Sequence, residues 1–125
     1  MANFIHALSA LLFLILVSQG NGQQCDNKSN FVISQSATGV KVVNKSEWKV
    51  TVKNNCVCTR TSIAIRCNGF QTTEKLNASI VALEGGTCVV KVNSGVLHGF
   101  ESFSFNYAWD SQFNFNSVES LVQCS

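Results

Sequence analysis

The 125-residue sequence contains no proline, and its histidines and aspartates are scarce. His6 lies in an apolar stretch near the start, which leaves His98 as the other histidine, and the aspartates are Asp26 and Asp110. General acid–base catalysis and metal binding need such groups in clusters. We therefore predict that the protein is not an enzyme and uses no cofactor, and that its turns are made by glycine, asparagine and serine.

Charged residues are also few, at 13% of the chain, and the formal net charge is only +2. This small excess argues against a nucleic-acid partner. Eight of the nine basic residues precede Leu76, whereas four of the seven acidic residues follow it. The first part of the chain is therefore expected to present a basic face that attracts an acidic partner. The alternative is that these residues are only the solvated side of a strand. The partner-binding candidates are Lys41, Lys49, Lys53 and Arg60, with Arg66 as an alternative to Arg60.

The chain begins with an apolar run, Phe4 to Val17, followed by small and polar residues. A membrane-spanning helix needs about 20 apolar residues, so the shorter run favours a secretory signal peptide. We predict that residues 1–22 are cleaved, and that residues 23–125 form one secreted, extracellular domain. No second apolar segment is present, so we expect no membrane insertion after cleavage. Sequons make Asn27, Asn44 and Asn77 glycosylation candidates, as expected for a secreted glycoprotein.

Six cysteines follow the apolar run, and the even number predicts three disulfides in an oxidising compartment. Cys56 and Cys58 project to the same side of an extended segment, so they should take different partners. We expect one of them to pair with Cys67 across a hairpin, although six cysteines allow about 15 connectivities. A zinc site is disfavoured because no C-x2-C pair is present. The cysteines are Cys25, Cys56, Cys58, Cys67, Cys88 and Cys124.

Apolar and polar residues alternate in several short segments, as in half-buried strands. The clearest segments begin at Trp48, Ile63 and Phe103, and the alternation is expected to resume at Phe113–Phe115. Residues 78–83 fit a strand or a short helical turn equally well. Short strands separated by turns predict an all-β fold, a small antiparallel β-sandwich stapled by the three disulfides.

Trp109, Phe113 and Phe115 lie close together near the end of the chain. A small sandwich needs such residues in its core. They could instead project as an anchor for a partner or as a platform for stacking on a sugar. The need for a core favours burial of these aromatic residues. If they project instead, a cell-wall glycan is a candidate partner.

The order of these motifs resembles the plant Tapetum Determinant-like family of small secreted cysteine-rich proteins. The motifs are W-x-V-x-V-x-N-x-C-x-C at Trp48–Cys58, I-x-I-x-C-x-G-F at Ile63–Phe70, C-V-V at Cys88, F-x-F-x-Y-A at Phe103–Ala108, and the cysteine at Cys124. The resemblance implies a secreted plant signalling ligand for the ectodomain of a leucine-rich-repeat receptor kinase. It further implies a role in cell differentiation, as in anther and reproductive development. The alternative function is that of an extracellular carbohydrate-binding or defence protein of the cell wall.

Overall fold

The computed structural model describes residues 25–26, 30–115 and 117–124, which form two antiparallel sheets packed face to face. One sheet has three strands in the order β1-β2-β6, and the other has four in the order β4-β5-β3-β7. This confirms the predicted all-β sandwich. The strands are β1 (Phe31–Val42), β2 (Lys45–Asn54), β3 (Thr59–Arg66), β4 (Val81–Glu84), β5 (Thr87–Val90), β6 (Ser102–Trp109) and β7 (Val118–Gln123).

Two sequence-based expectations lie outside the described residues. These are the signal peptide at residues 1–22 and the glycosylation candidate Asn27. In the part of the chain that the structure describes, no helix has the length and apolar character needed to span a membrane.

The alternation of β2 fixes which side of the three-stranded sheet is buried. Val50 and Val52 are fully buried, whereas Lys49 and Lys53 are exposed. Ile63 of β3 is likewise fully buried and comes from the opposite sheet. The core therefore lies between the two sheets, as expected for an antiparallel sandwich in which each sheet has one side exposed to solvent.

The expected hairpin between β2 and β3 is wrong. β2 pairs with β1 and β6, whereas β3 pairs with β5 and β7 in the other sheet. Residues 55–58 cross from one sheet to the other, and the Asn54 side-chain amide donates to the Cys58 carbonyl over 2.9 Å. The physical reason is that both strands carry one apolar side, and placing them in opposite sheets lets those sides cover each other.

The crossing of residues 55–58 between the sheets also determines which cysteines pair. The prediction that Cys67 bonds to Cys56 or Cys58 is wrong. The structure pairs Cys25 with Cys56, Cys58 with Cys124, and Cys67 with Cys88. Cys67 follows β3 directly, and β3 pairs with β5, which carries Cys88. Three disulfides are present, as predicted, and Cys56 and Cys58 take different partners.

Two segments differ from simple strands. Residues 78–80 form a turn that leads into β4, so both interpretations of residues 78–83 hold in part. The strand expected at Phe113–Phe115 is wrong, because side chains rather than a neighbouring strand satisfy its backbone. The Phe113 N–H donates to the Tyr107 hydroxyl over 2.8 Å, and the Phe113 carbonyl accepts from the Gln35 amide over 2.7 Å.

Candidate functional site: the outer face of the three-stranded sheet

The outer side of the three-stranded sheet is polar and carries two lysines of its central strand. We call this surface the basic face. Its three cross-strand rows, read from β1 through β2 to β6, are Ser36–Lys49–Asn106, Ser34–Thr51–Ser104 and Val32–Lys53–Ser102. The middle row is joined by a hydrogen bond of 2.9 Å between the Thr51 and Ser104 hydroxyls. Short neutral side chains therefore flank both lysines across the strands, and both lysines are exposed.

Lys49 and Lys53 form no ion pair within residues 25–26, 30–115 and 117–124, in contrast to two other lysines. Lys45 pairs with Asp110 at 2.7 Å, and Lys91 pairs with Glu84 at 3.4 Å. Four residues along a strand span about 13 Å, so Lys49 and Lys53 form two separate points of positive charge. Both charges remain free for acidic groups of a partner.

The predicted row of basic residues is not continuous, because Lys41 lies away from the other two lysines. The pairing of β1 with β2 shifts register between Ala37 and Lys41, and Lys41 faces Ser46. Directly paired residues project to the same side of a sheet, and residues two apart along a strand share a side. Lys41 therefore shares the side of Ser46 and Trp48, opposite to Lys49.

Arg60 was a candidate for partner binding, and that prediction is wrong because the side chain is fully buried. Its Nε donates to Asn54 Oδ1 over 2.8 Å, and Nη1 donates to the Asp26 carbonyl over 2.7 Å and to the Ser120 hydroxyl over 3.0 Å. The guanidinium also lies 4.3 Å from the ring centroid of Phe31. Burial lowers the pKa of Arg60, and the nearby Asp26 opposes that effect. Arg60 therefore links β3 to β2 through Asn54, to β7 through Ser120, and to the backbone of Asp26.

A break in the strand alternation explains why the sequence misplaces Arg60. Counting by two from Ile63 puts Arg60 on the outside of the sheet together with the exposed Arg66. However, the pairing of β3 with β7 shifts register between Thr61 and Ala64, and Ser62 takes a φ of 52°. Such a bulge inserts one residue and reverses which side the preceding residues face.

Two carboxyl groups meet at one end of the basic face, which the sequence did not suggest. The Glu47 side chain accepts from the Thr38 hydroxyl over 2.6 Å and shares a hydrogen bond with the Glu74 side chain. Burial, followed by the hydrogen bond and the charge of Glu47, raises the pKa of Glu74 to about 7. The hydrogen bonds from Thr38 and Glu74 lower the pKa of Glu47. The pair therefore holds a proton at mildly acidic pH.

A cleft of about 360 Å³ lies between the carboxyl pair and the basic face, and it is lined by Glu74 of that pair and by residues of the basic face. Lys49 and Lys75 both line it, and so does Asn77, one of the glycosylation candidates. Asn77 is exposed, and its Oδ1 accepts from the Ser79 hydroxyl over 2.6 Å. Asn44 lies exposed in the turn between β1 and β2 with a φ of 66°. Both candidate asparagines are accessible for modification.

The three aromatic candidates lie beside the core rather than forming a separate platform. Phe115 is only 4% exposed, so its prediction as a contact residue for a partner is wrong. Phe113 and Trp109 are partly buried against the same core. Phe113 lies 4.8 Å from the ring centroid of Phe115, and the Lys45 ammonium lies 5.2 Å from that of Trp109. The core interpretation therefore holds for Phe115, and Lys45 lies against the ring of Trp109.

The clustered cysteines and His98 are each engaged in structural contacts in the described part of the chain. The sulfurs of Cys25, Cys56 and Cys58 lie within 4.8 Å of one another, but each belongs to a disulfide. His98 is exposed, and its Nδ1 lies 3.2 Å from the Thr59 hydroxyl. The Glu101 carboxylate accepts from the His98 backbone N–H. This arrangement stabilises a loop.

The fold and this surface define a small disulfide-linked β-sandwich domain suited to recognition. The family model described as Tapetum determinant 1, C-terminal, matches residues 27–125, and the chain belongs to that family. Membership indicates a plant developmental signalling protein. Comparisons with curated proteins and with solved structures gave no match.

Proposed function

We propose that the protein is a secreted ligand that binds the ectodomain of a leucine-rich-repeat receptor kinase. In this proposal residues 1–22 are a cleaved signal peptide, the mature domain of residues 23–125 acts in the apoplast, and the signal directs cell fate in reproductive development. The protein acts by binding alone and catalyses no reaction. Family membership supports the signalling role, and the three disulfides suit an oxidising extracellular compartment.

The single observation that carries the choice of surface is the pair of unpaired lysines on the basic face. Lys49 and Lys53 lie on the central strand of the sheet, and short neutral residues pair with them on both neighbouring strands. Complementary charge accelerates association and excludes wrong partners, whereas an individual exposed ion pair contributes little free energy. The partner surface is therefore acidic, and on a solenoid receptor it is the concave face that is long enough to accept a sheet.

The test uses the full chain expressed in a secretory host, so that cleavage and disulfide formation occur before purification. The secreted product is titrated by surface plasmon resonance against a panel of leucine-rich-repeat receptor-kinase ectodomains. We expect binding to at least one member with an association rate that falls as salt is raised. Absence of binding to every member would remove the proposed function.

A matched pair of charge reversals locates the surface. Lys49→Glu is expected to slow association by roughly tenfold, because it places a negative charge opposite an acidic partner. Arg66→Glu is the control, since Arg66 is equally exposed but lies on β3 in the other sheet. Equal effects of the two reversals would show that net charge rather than the basic face governs binding.

A further inference from the structure

The segment that follows β2 carries an exposed apolar residue near the Lys53 end of the basic face. Lys53, Asn55 and Val57 are exposed, whereas Asn54 and Cys56 between them are buried. Residues 55–58 lie outside the strands and lead to the other sheet. Val57 is 64% exposed, although valine is among the residues most often buried. Val57 is therefore an exposed apolar residue just beyond the end of β2.

Phe100 lies beside this segment and is 50% exposed. Its N–H donates to the Cys56 carbonyl over 3.2 Å, and the Asn54 N–H donates to the Glu101 carbonyl over 2.9 Å. These bonds extend the contact between β2 and the chain leading into β6 beyond their regular pairing. We call Val57 and Phe100 together the apolar tip.

The backbone around Phe100 is held in an unfavourable conformation. Phe100 has a φ of 63°, in the left-handed region that residues other than glycine, asparagine and aspartate rarely adopt. The preceding Gly99 permits close backbone contact, since a Cβ there would lie 2.8 Å from the Val57 carbonyl carbon and 3.2 Å from the Cys56 carbonyl oxygen. Such strain persists only where the surroundings over-determine the conformation, and it is concentrated at functional sites.

The surroundings of the tip meet that condition. The buried Asn54 amide donates to the carbonyls of Cys58, Leu97 and His98 at 2.9, 3.2 and 3.0 Å. Within the tip loop the Glu101 N–H donates to the His98 carbonyl over 3.1 Å, and the Glu101 carboxylate accepts from the His98 N–H over 2.8 Å. Two disulfides leave from Cys56 and Cys58, on either side of Val57. The fold thus holds an exposed aromatic side chain rigidly where it contributes little to the core.

We propose that the apolar tip is the anchor of the partner interface, and that Phe100 enters an apolar pocket on the receptor whose rim is acidic. The occupant follows from the position of the tip next to the basic face and from the charge of that face. Lys53 pairs with Ser102, two residues after Phe100, and precedes Val57 by four residues. A rigid exposed aromatic side chain fits the enrichment of aromatic residues in interface cores, Lys53 complements an acidic rim, and rigidity lowers the entropy lost on binding.

This proposal rests on the proposed function and is tested with the ectodomain that the secreted wild-type protein binds. Phe100→Asn is the informative variant, because asparagine tolerates a positive φ and so removes the anchor without straining the loop. We expect its Kd to rise at least about 30-fold, mainly through faster dissociation. Lys49→Glu, by contrast, acts on association. The control Leu121→Asn alters a residue that is 57% exposed on β7, and its Kd should change less than about threefold.

Thermal unfolding of the same variants separates an anchor from a structural residue. Phe100→Asn should leave the Tm unchanged or raise it, and a large fall would overturn the proposal because Phe100 would then serve the fold. If the wild type binds an ectodomain and Phe100→Asn binds it with the same Kd, the tip is not the anchor, whereas the proposed function stands. Failure of the wild type to bind any ectodomain overturns both. Light scattering gives the oligomeric state of the same variants. If the wild type is a dimer, Phe100→Asn is a monomer and receptor binding is unaltered, the tip serves self-association and the proposal is wrong.

Discussion

Replacement of Arg60 by methionine should remove a large part of the stability of the fold. The guanidinium is fully buried, and its hydrogen bonds include those that it donates to Asn54, Ser120 and the backbone of Asp26. Methionine fills the space of the aliphatic stem, so packing is largely kept. The acceptors, however, lose their donors while they remain away from water.

The magnitude follows from those contacts. Hydrogen bonds of charged groups contribute about 1.5–3 kcal/mol each, and three would total more than 4 kcal/mol if they were additive. Relief of the cost of burying a cation offsets part of this, so we expect a net loss of about 3–5 kcal/mol, which comes from the buried acceptors that are left without a donor. The total stability of a domain is about 5–15 kcal/mol, and the Tm should fall by roughly 15 °C or more.

Urea unfolding followed by the fluorescence of Trp48 and Trp109, with the disulfides intact, measures this loss. Arg66→Met is the matched control, because Arg66 lies on the same strand but is exposed, and it should change stability by less than about 0.5 kcal/mol. Arg60→Lys should give an intermediate loss, because one ammonium cannot reproduce the planar fork. A loss below about 1 kcal/mol in Arg60→Met, or equal losses in the methionine variants of Arg60 and Arg66, would refute the structural role.

Two further predictions concern a disulfide and the carboxyl pair. Replacing both Cys67 and Cys88 with alanine releases a loop with a sequence separation of 21 residues, which should cost about 3 kcal/mol on the chain-entropy account; a loss under about 1 kcal/mol in denaturant unfolding would contradict it. The folded-state pKa of Glu74, about 7, lies above its ordinary value of 4.5, so its proton stabilises the fold fully below pH 4.5, and this contribution is lost as the pH rises through 7. The Tm should therefore fall by a few degrees from about pH 5 to 8, and Glu74→Gln should flatten that part of the profile; equal profiles for variant and wild type would exclude this role for Glu74.

The strands that the sequence predicted best are those whose two sides differ most. Apolar or aromatic residues alternate with others from Trp48 to Val52 and from Phe103 to Trp109, and the structure buries all of them except the two tryptophans, which are partly buried. Prediction failed where a side chain satisfies the backbone or where a bulge breaks the period. Tyr107 and Gln35 hold Phe113 outside any strand, and the bulge at Ser62 turns Arg60 inward. Neither event leaves a mark in local alternation.

The sequence by itself determined the class of the fold, the buried sides of the main strands and the presence of three disulfides, because alternation and an even cysteine count are local or compositional properties. Only the tertiary structure decided that β2 and β3 lie in opposite sheets, that Cys67 joins Cys88, and that the backbone of Phe100 meets that of Cys56. These features depend on which distant segments pair. That choice is set by closure of the whole core, to which residues far apart in the chain contribute together.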